Sequence, residues 1–77
     1  MIITVQLKGP LKKYGSHHEQ VELEYNQDAI TVKALTEQLK IPASSISFIQ
    51  IDGQKSNPET TLRGGEVVVV NPRVAGG

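Results

Sequence analysis

The course of this chain turns on the stretch LRGGEVVVVNP, residues 62–72. Val67 to Val70 are β-branched throughout, and such a run reads as a strand enclosed by neighbours on both sides. A strand of that kind belongs in the middle of a sheet. Gly64-Gly65 just before it can supply the positive φ of a tight turn. Leu62 is the one large apolar anchor in residues 57–66, which read as connecting structure. The remainder of the chain must therefore supply flanking strands and an element to cover them.

At the other end of the chain, residues 2–8, IITVQLK, alternate, with Ile3, Val5 and Leu7 on one face and Thr4, Gln6 and Lys8 on the other. Period-two alternation of this length predicts a half-buried strand. Gly9-Pro10 and Tyr14-Gly15-Ser16 mark a long turn. VELEY, residues 21–25, alternates again, with Val21, Leu23 and Tyr25 inward, so the two segments read as an antiparallel hairpin. The period then changes. TVKALTEQLKI, residues 31–41, places Val32, Leu35, Thr36 and Leu39 at three- and four-residue steps, with Thr31 as N-cap and Pro42 as stop. This predicts an amphipathic helix of about three turns. ISFIQID, residues 46–52, is the next strand, closed by an Asp52-Gly53 turn.

The order strand, strand, helix, strand, strand requires the helix to lie across the sheet, because a hairpin alone cannot cover its apolar face. The expected fold is α+β, with the 67–70 strand central and beside the first. Residues 1–77 then form a single domain with a folded body over 1–72 and a flexible tail over 73–77. With 77 residues, 38% hydrophobic and 21% charged, the chain suits one small core.

Composition excludes several functions. Eight Lys and Arg balance eight Asp and Glu, leaving no net positive field for nucleic acid. There are no cysteines, hence no disulfides, thiolate zinc sites or cysteine nucleophiles. Apolar runs are too short for a membrane span, and MIITVQLKG does not read as a signal peptide, so the expected location is cytoplasmic. His17-His18 beside Glu19 read as a solvated loop, since adjacent side chains diverge and would not share one ion. No metal site is expected, and no side chains pair as nucleophile and base.

NPRVAGG, residues 71–77, carries the functional signal. Glycine has no side chain to pack and the most backbone freedom to lose, so Gly76-Gly77 are poor residues with which to complete a strand. Together with LKGPLKKYG (residues 7–15), LRGGEVVVV (62–70) and the element order, this tail resembles the MoaD/ThiS sulfur carriers, small ubiquitin-like β-grasp proteins. The likeness is greater to the MoaD branch, the small subunit of molybdopterin synthase. Gly9, Leu11 and Lys12 match its Gly-x-Leu-Arg-like turn, and Pro72, Val74, Gly76 and Gly77 match its Pro-Pro-Val-x-Gly-Gly ending. Lys12 stands in place of the arginine, and Arg73 in place of the second proline.

The resemblance implies a β-grasp domain with a mixed four-to-five-stranded sheet and one main helix. It implies that the Gly77 carboxylate is adenylated by a ubiquitin-activating-type enzyme and then converted to a thiocarboxylate that donates sulfur. The chain would bind no cofactor, the ATP being used by the activating partner. The second partner would be the molybdopterin synthase large subunit or another sulfur acceptor. Five extended residues, 73–77, span at most about 17 Å, a reach suited to a site buried in another protein. Pro72, Arg73, Val74 and Ala75 would bind the partner, and Gly76 and Gly77, without Cβ atoms, would pass its narrow opening. Phe48 is a further candidate for partner docking. If Ile49 and Ile51 face the helix, Phe48 and Ile46 lie on the sheet face without one. The alternatives are sulfur carriage for thiamine or tRNA thiolation, a ubiquitin-like modifier joined to lysines through Gly77, and a non-catalytic β-grasp binding module.

Overall fold

The computed structural model describes residues 1–73. Strand β1 (Ile2–Leu7) pairs antiparallel with β2 (Gln20–Glu24) and parallel with β7 (Val67–Pro72). β7 pairs on its other side with β4 (Ile46–Ile51), which pairs in turn with β5 (Gln54–Ser56). The order is β2-β1-β7-β4-β5, so the valine strand occupies the centre beside β1. A second, two-stranded sheet joins β3 (Ile30–Thr31) to β6 (Thr61–Leu62). Helix α1 (Val32–Gln38) crosses the main sheet. The architecture is the β-grasp expected from the resemblance.

The core forms between α1 and one sheet face. Ile3, Val5 and Leu7 of β1 and Val68 and Val70 of β7 meet Val32 and Leu35 of the helix, with Leu11, Ile41 and Leu62 closing the periphery. Leu39, expected as a full core member, is half-buried and packs at the edge.

The helix is shorter than its periodicity predicts. Its start is as expected, with the Thr31 hydroxyl accepting from the Ala34 N–H at 3.1 Å. Its end comes at Leu39, because Lys40 adopts φ +61°. The Lys40 N–H then donates to the Glu37 carbonyl (3.0 Å) and the Ile41 N–H to that of Thr36 (3.1 Å). This is a Schellman stop, which turns buried Ile41 back onto the core. A non-glycine residue in the left-handed region hides that stop from a sequence reading.

Residues Gly9–Gly15, expected as an open turn, form 3₁₀ helix. Gly15 suits this position because a Cβ there would lie 2.7 Å from Leu7 Cδ1 and 3.0 Å from Val21 Cγ1, so a larger residue would force those side chains to shift. Asp52 (φ +50°) and Gly53 (φ +86°) make a two-residue type I′ turn between Ile51 and Gln54. That hairpin adds β5, and residues 57–66, expected as connection, contain β6. Leu62 is fully buried, as its isolation suggested.

Candidate functional site

Two features come together at one end of the sheet: the exit of the chain from β7, and a sheet face that α1 leaves uncovered. At the exit, Asn71 and Pro72 lie opposite Phe48 and Ile46 of β4. Pro72 also stands against the 3₁₀ turn, where a Cβ added to Gly9 would lie 3.4 Å from its Cγ. The Lys8 N–H donates to the Val70 carbonyl (3.2 Å), which fastens the start of that turn to β7.

Arg73, expected in the tail, has its N–H donating to the Ser45 carbonyl at 2.9 Å. The backbone ladder therefore continues one residue beyond the expected body, while the residue itself is exposed. Val74, Ala75, Gly76 and Gly77, the remaining tail candidates, lie outside the described residues, as does the expectation that they are mobile.

The cross-strand pairs identify the uncovered face. Ile2 opposes Glu24, Thr4 opposes both Glu22 and Val67, Gln6 opposes Gln20 and Val69, and Gln50 opposes Val69 and Lys55. Ile2, Val67, Val69 and Phe48 thus form a sparse apolar set among polar neighbours, with Ile2 48% exposed. Isolated exposed apolar residues are ordinary, but a set running along one sheet face, with Val69 and Phe48 nearest the chain exit, suits a partner surface.

Phe48 is half-buried, lies outside the core cluster, and has the Lys55 ammonium 5.3 Å from its ring centroid. The cation reinforces the ring's position on the face without burying it. Ile46 is a correction. The register between β4 and β7 shifts between Ile46 and Phe48, leaving Ser47 unmatched, so Ile46 packs against the core instead of standing beside Phe48. A bulge that reverses the alternation has no signature in ISFIQI.

Sequence reasoning also missed Asn71, whose side-chain amide nitrogen is buried at the exit without a hydrogen-bond partner among the described residues. Charge offered no clue to it. Beyond Phe48, a groove of about 670 Å³ opens between α1 and β4–β5, lined by Val32, Thr36, Ile46, Phe48 and Lys55 among others. His17 and His18 are exposed, and among the described residues no three His, Asp or Glu side chains gather as a metal site. Among those residues no helix is long and apolar enough to cross a membrane.

Three solved structures show the breadth of the fold. The Haloferax volcanii protein HVO 2177 matches with TM-score 0.77 and 19% identity, over 100% of this chain and 87% of its own. A Pyrococcus furiosus protein assigned as molybdopterin converting factor subunit 1 matches with TM-score 0.76 and 18% identity, over 96% and 99%. A Helicobacter pylori complex of subunits 1 and 2 of molybdopterin-converting factor contains a chain matching with TM-score 0.64 and 24% identity, over 100% of both. At these identities the likeness is one of fold. A comparison with curated proteins finds no significant sequence match. The family model for the Mut7-C ubiquitin domain matches residues 1–76. With a β-grasp sheet, its uncovered face and nearly the whole sequence in agreement, the chain belongs to the Mut7-C ubiquitin family of ubiquitin-like domains.

Proposed function

We propose that this domain is a sulfur carrier acting through the carboxylate of Gly77, with molybdopterin biosynthesis as the pathway served. The observation carrying the proposal is the exit geometry. The central strand runs out at Pro72–Arg73 beside an uncovered, partly apolar face, with Val74-Ala75-Gly76-Gly77 next in the chain. A strand in that position can present those four residues to another protein while the face beside it docks. The Helicobacter pylori neighbour, a subunit 1 in complex with subunit 2, gives a pattern for such an assembly and supports a synthase large subunit as partner.

In the proposed chemistry, a Gly77 carboxylate oxygen attacks the α-phosphorus of ATP in the activating enzyme, and pyrophosphate leaves. A sulfide-level donor then attacks the acyl carbon and expels AMP, leaving a thiocarboxylate. The chain contributes the acyl group and its positioning, and the partners contribute the catalytic side chains. Gly76 and Gly77, lacking Cβ atoms, would fit a narrow passage with a wide choice of φ.

The test begins with the mass of the native protein, which must show a free carboxylate at Gly77. Loading with ATP, a sulfur donor and the activating enzyme should then add the mass of one oxygen-to-sulfur exchange. Adding one residue after Gly77 should abolish that gain with an unchanged melting curve, because the acyl carbon is then locked in an amide. Deleting Gly77 leaves the carboxylate roughly 3.5 Å short and should do the same. Equal loading of the extended variant would end the proposal in favour of a binding module. Isopeptide adducts in place of the thiocarboxylate would favour a modifier.

A further inference from the structure

The chain has no net charge, but its charges are not evenly spread. Lys8, Lys12, Lys13 and Arg73 all stand at the exit end. Lys8 is bonded through its backbone to Val70, the 3₁₀ turn carrying Lys12 and Lys13 lies against Pro72, and Arg73 comes directly after it. The opposite end holds Glu24 at the close of β2, Asp52 in the β4–β5 turn and Glu66 before β7, together with Arg63 and the N-terminal ammonium, so it carries a smaller and opposite charge.

The two sets differ in use as well as sign. Asp52 accepts from the Val67 N–H at 3.0 Å, and Glu66 accepts from the N–H groups of Arg63 and Gly64 at 2.8 and 2.7 Å. These carboxylates are part of the turns they sit in. None of the four cations at the exit donates a side-chain hydrogen bond within the described residues. Two are nevertheless partly held: Lys12 is half-buried, and the Lys13 ammonium lies 5.3 Å from the Tyr14 ring centroid. Among the described residues Glu19, beside β2, is a carboxylate brought near this end through its backbone, its carbonyl accepting from the Leu7 N–H.

We infer that Lys8, Lys12, Lys13 and Arg73 form a basic collar that seats this chain on an acidic protein rim surrounding the opening that receives residues 74–77. The inference rests on the proposed entry of the tail into a partner. Charge separation at zero net charge orients an approaching molecule without attracting it indiscriminately, which suits a domain that must arrive exit-first. A nucleic-acid partner is disfavoured by that zero net charge, and by an exit where Lys13 already occupies a position over Tyr14. The acidic rim is therefore the better complement.

A hexaglutamate peptide is the probe, titrated into the isotope-labelled full chain and followed by amide chemical shifts. Perturbations should concentrate on residues 8–17 and Arg73. Raising salt from about 50 to about 200 mM shortens the Debye length from roughly 14 to 7 Å and should weaken binding several-fold. The triple variant Lys8→Glu/Lys13→Glu/Arg73→Glu should lose roughly tenfold in affinity at an unchanged melting temperature, the sum of three weak exposed contacts. Lys33→Glu/Arg63→Glu, which reverses exposed cations elsewhere, should bind the peptide as well as the native chain. Equal loss in that control, or shifts scattered over the surface, would overturn the collar. A single-stranded oligonucleotide binding these residues more tightly than the peptide would overturn the partner class. Dilution-dependent shifts in the same residues without peptide would assign the surface to a second copy and overturn it likewise. None of these readouts involves the Gly77 carboxylate, so the collar and the carrier chemistry can fail separately.

Discussion

Strand β7 presents the same residue to two environments. Val68 and Val70 have no exposed surface, whereas Val67 and Val69, pointing the other way, are half-buried. The difference comes from what covers them: α1, Leu62 and β1 side chains on one face, and only lateral neighbours such as Thr4, Gln6 and Gln50 on the other. One face contributes stability through packing. The other retains apolar surface that a partner could cover, next to the point where the chain leaves the sheet.

The largest expected effect tests the packed face. Leu35 is fully buried on α1, so Leu35→Ala should cost about 2–5 kcal/mol in chemical denaturation, a large part of the stability of so small a domain. A loss below about 1 kcal/mol would mean that α1 does not anchor the core.

Truncating β7 on each face measures the contrast between them directly. Val68→Ala should cost about 1.5–3 kcal/mol, from two lost methyl groups and the cavity they leave. Val69→Ala should cost less than about 1 kcal/mol, because water and neighbouring side chains already reach that position. Equal costs would show that both faces are covered in solution, as a self-associated sheet would require.

The smallest effect concerns Tyr25, whose hydroxyl is buried without a partner among the described residues while its ring joins the core. Desolvation by burial raises its pKa above the ordinary value near 10. The folded chain then holds its proton more tightly than the unfolded one. Stability is fully present below about pH 10 and falls as pH rises toward the higher folded value. Tyr25→Phe should therefore change stability by less than about 0.5 kcal/mol at pH 7 and reduce the alkaline loss. A marked loss at neutral pH would reveal a hydrogen bond to that hydroxyl.

Much of this is legible without coordinates. The alternation in IITVQLK and VELEY, the Thr31 cap, the Asp52-Gly53 turn and the β-branched run each report on local backbone preference, and each recurs in the fold. The missed elements lack such a local signal. β3 and β6 are two residues long, too short for a period, and β5 reads Gln-Lys-Ser. Lys40 ends the helix in a conformation more typical of glycine, and the bulge at Ser47 moves Ile46 to the core by pairing geometry alone. Of the candidate site residues, the structure situates Phe48, Pro72 and Arg73.

Element order and the central place of Val67–Val70 can be read from the residues alone, because periodicity acts within a few positions of chain, while the candidate role of the Gly76-Gly77 tail comes from the resemblance of its motif to the sulfur carriers. Which valines are buried, that Ile46 and Phe48 part company, and that Lys8 and the turn carrying Lys12 and Lys13 lie against the strand that ends before Arg73 emerge only when the chain is folded. Those outcomes join residues from opposite ends of the sequence. They depend on the parallel pairing of β1 with β7 and on the side from which α1 covers the sheet, and neither is written in a local pattern of residues.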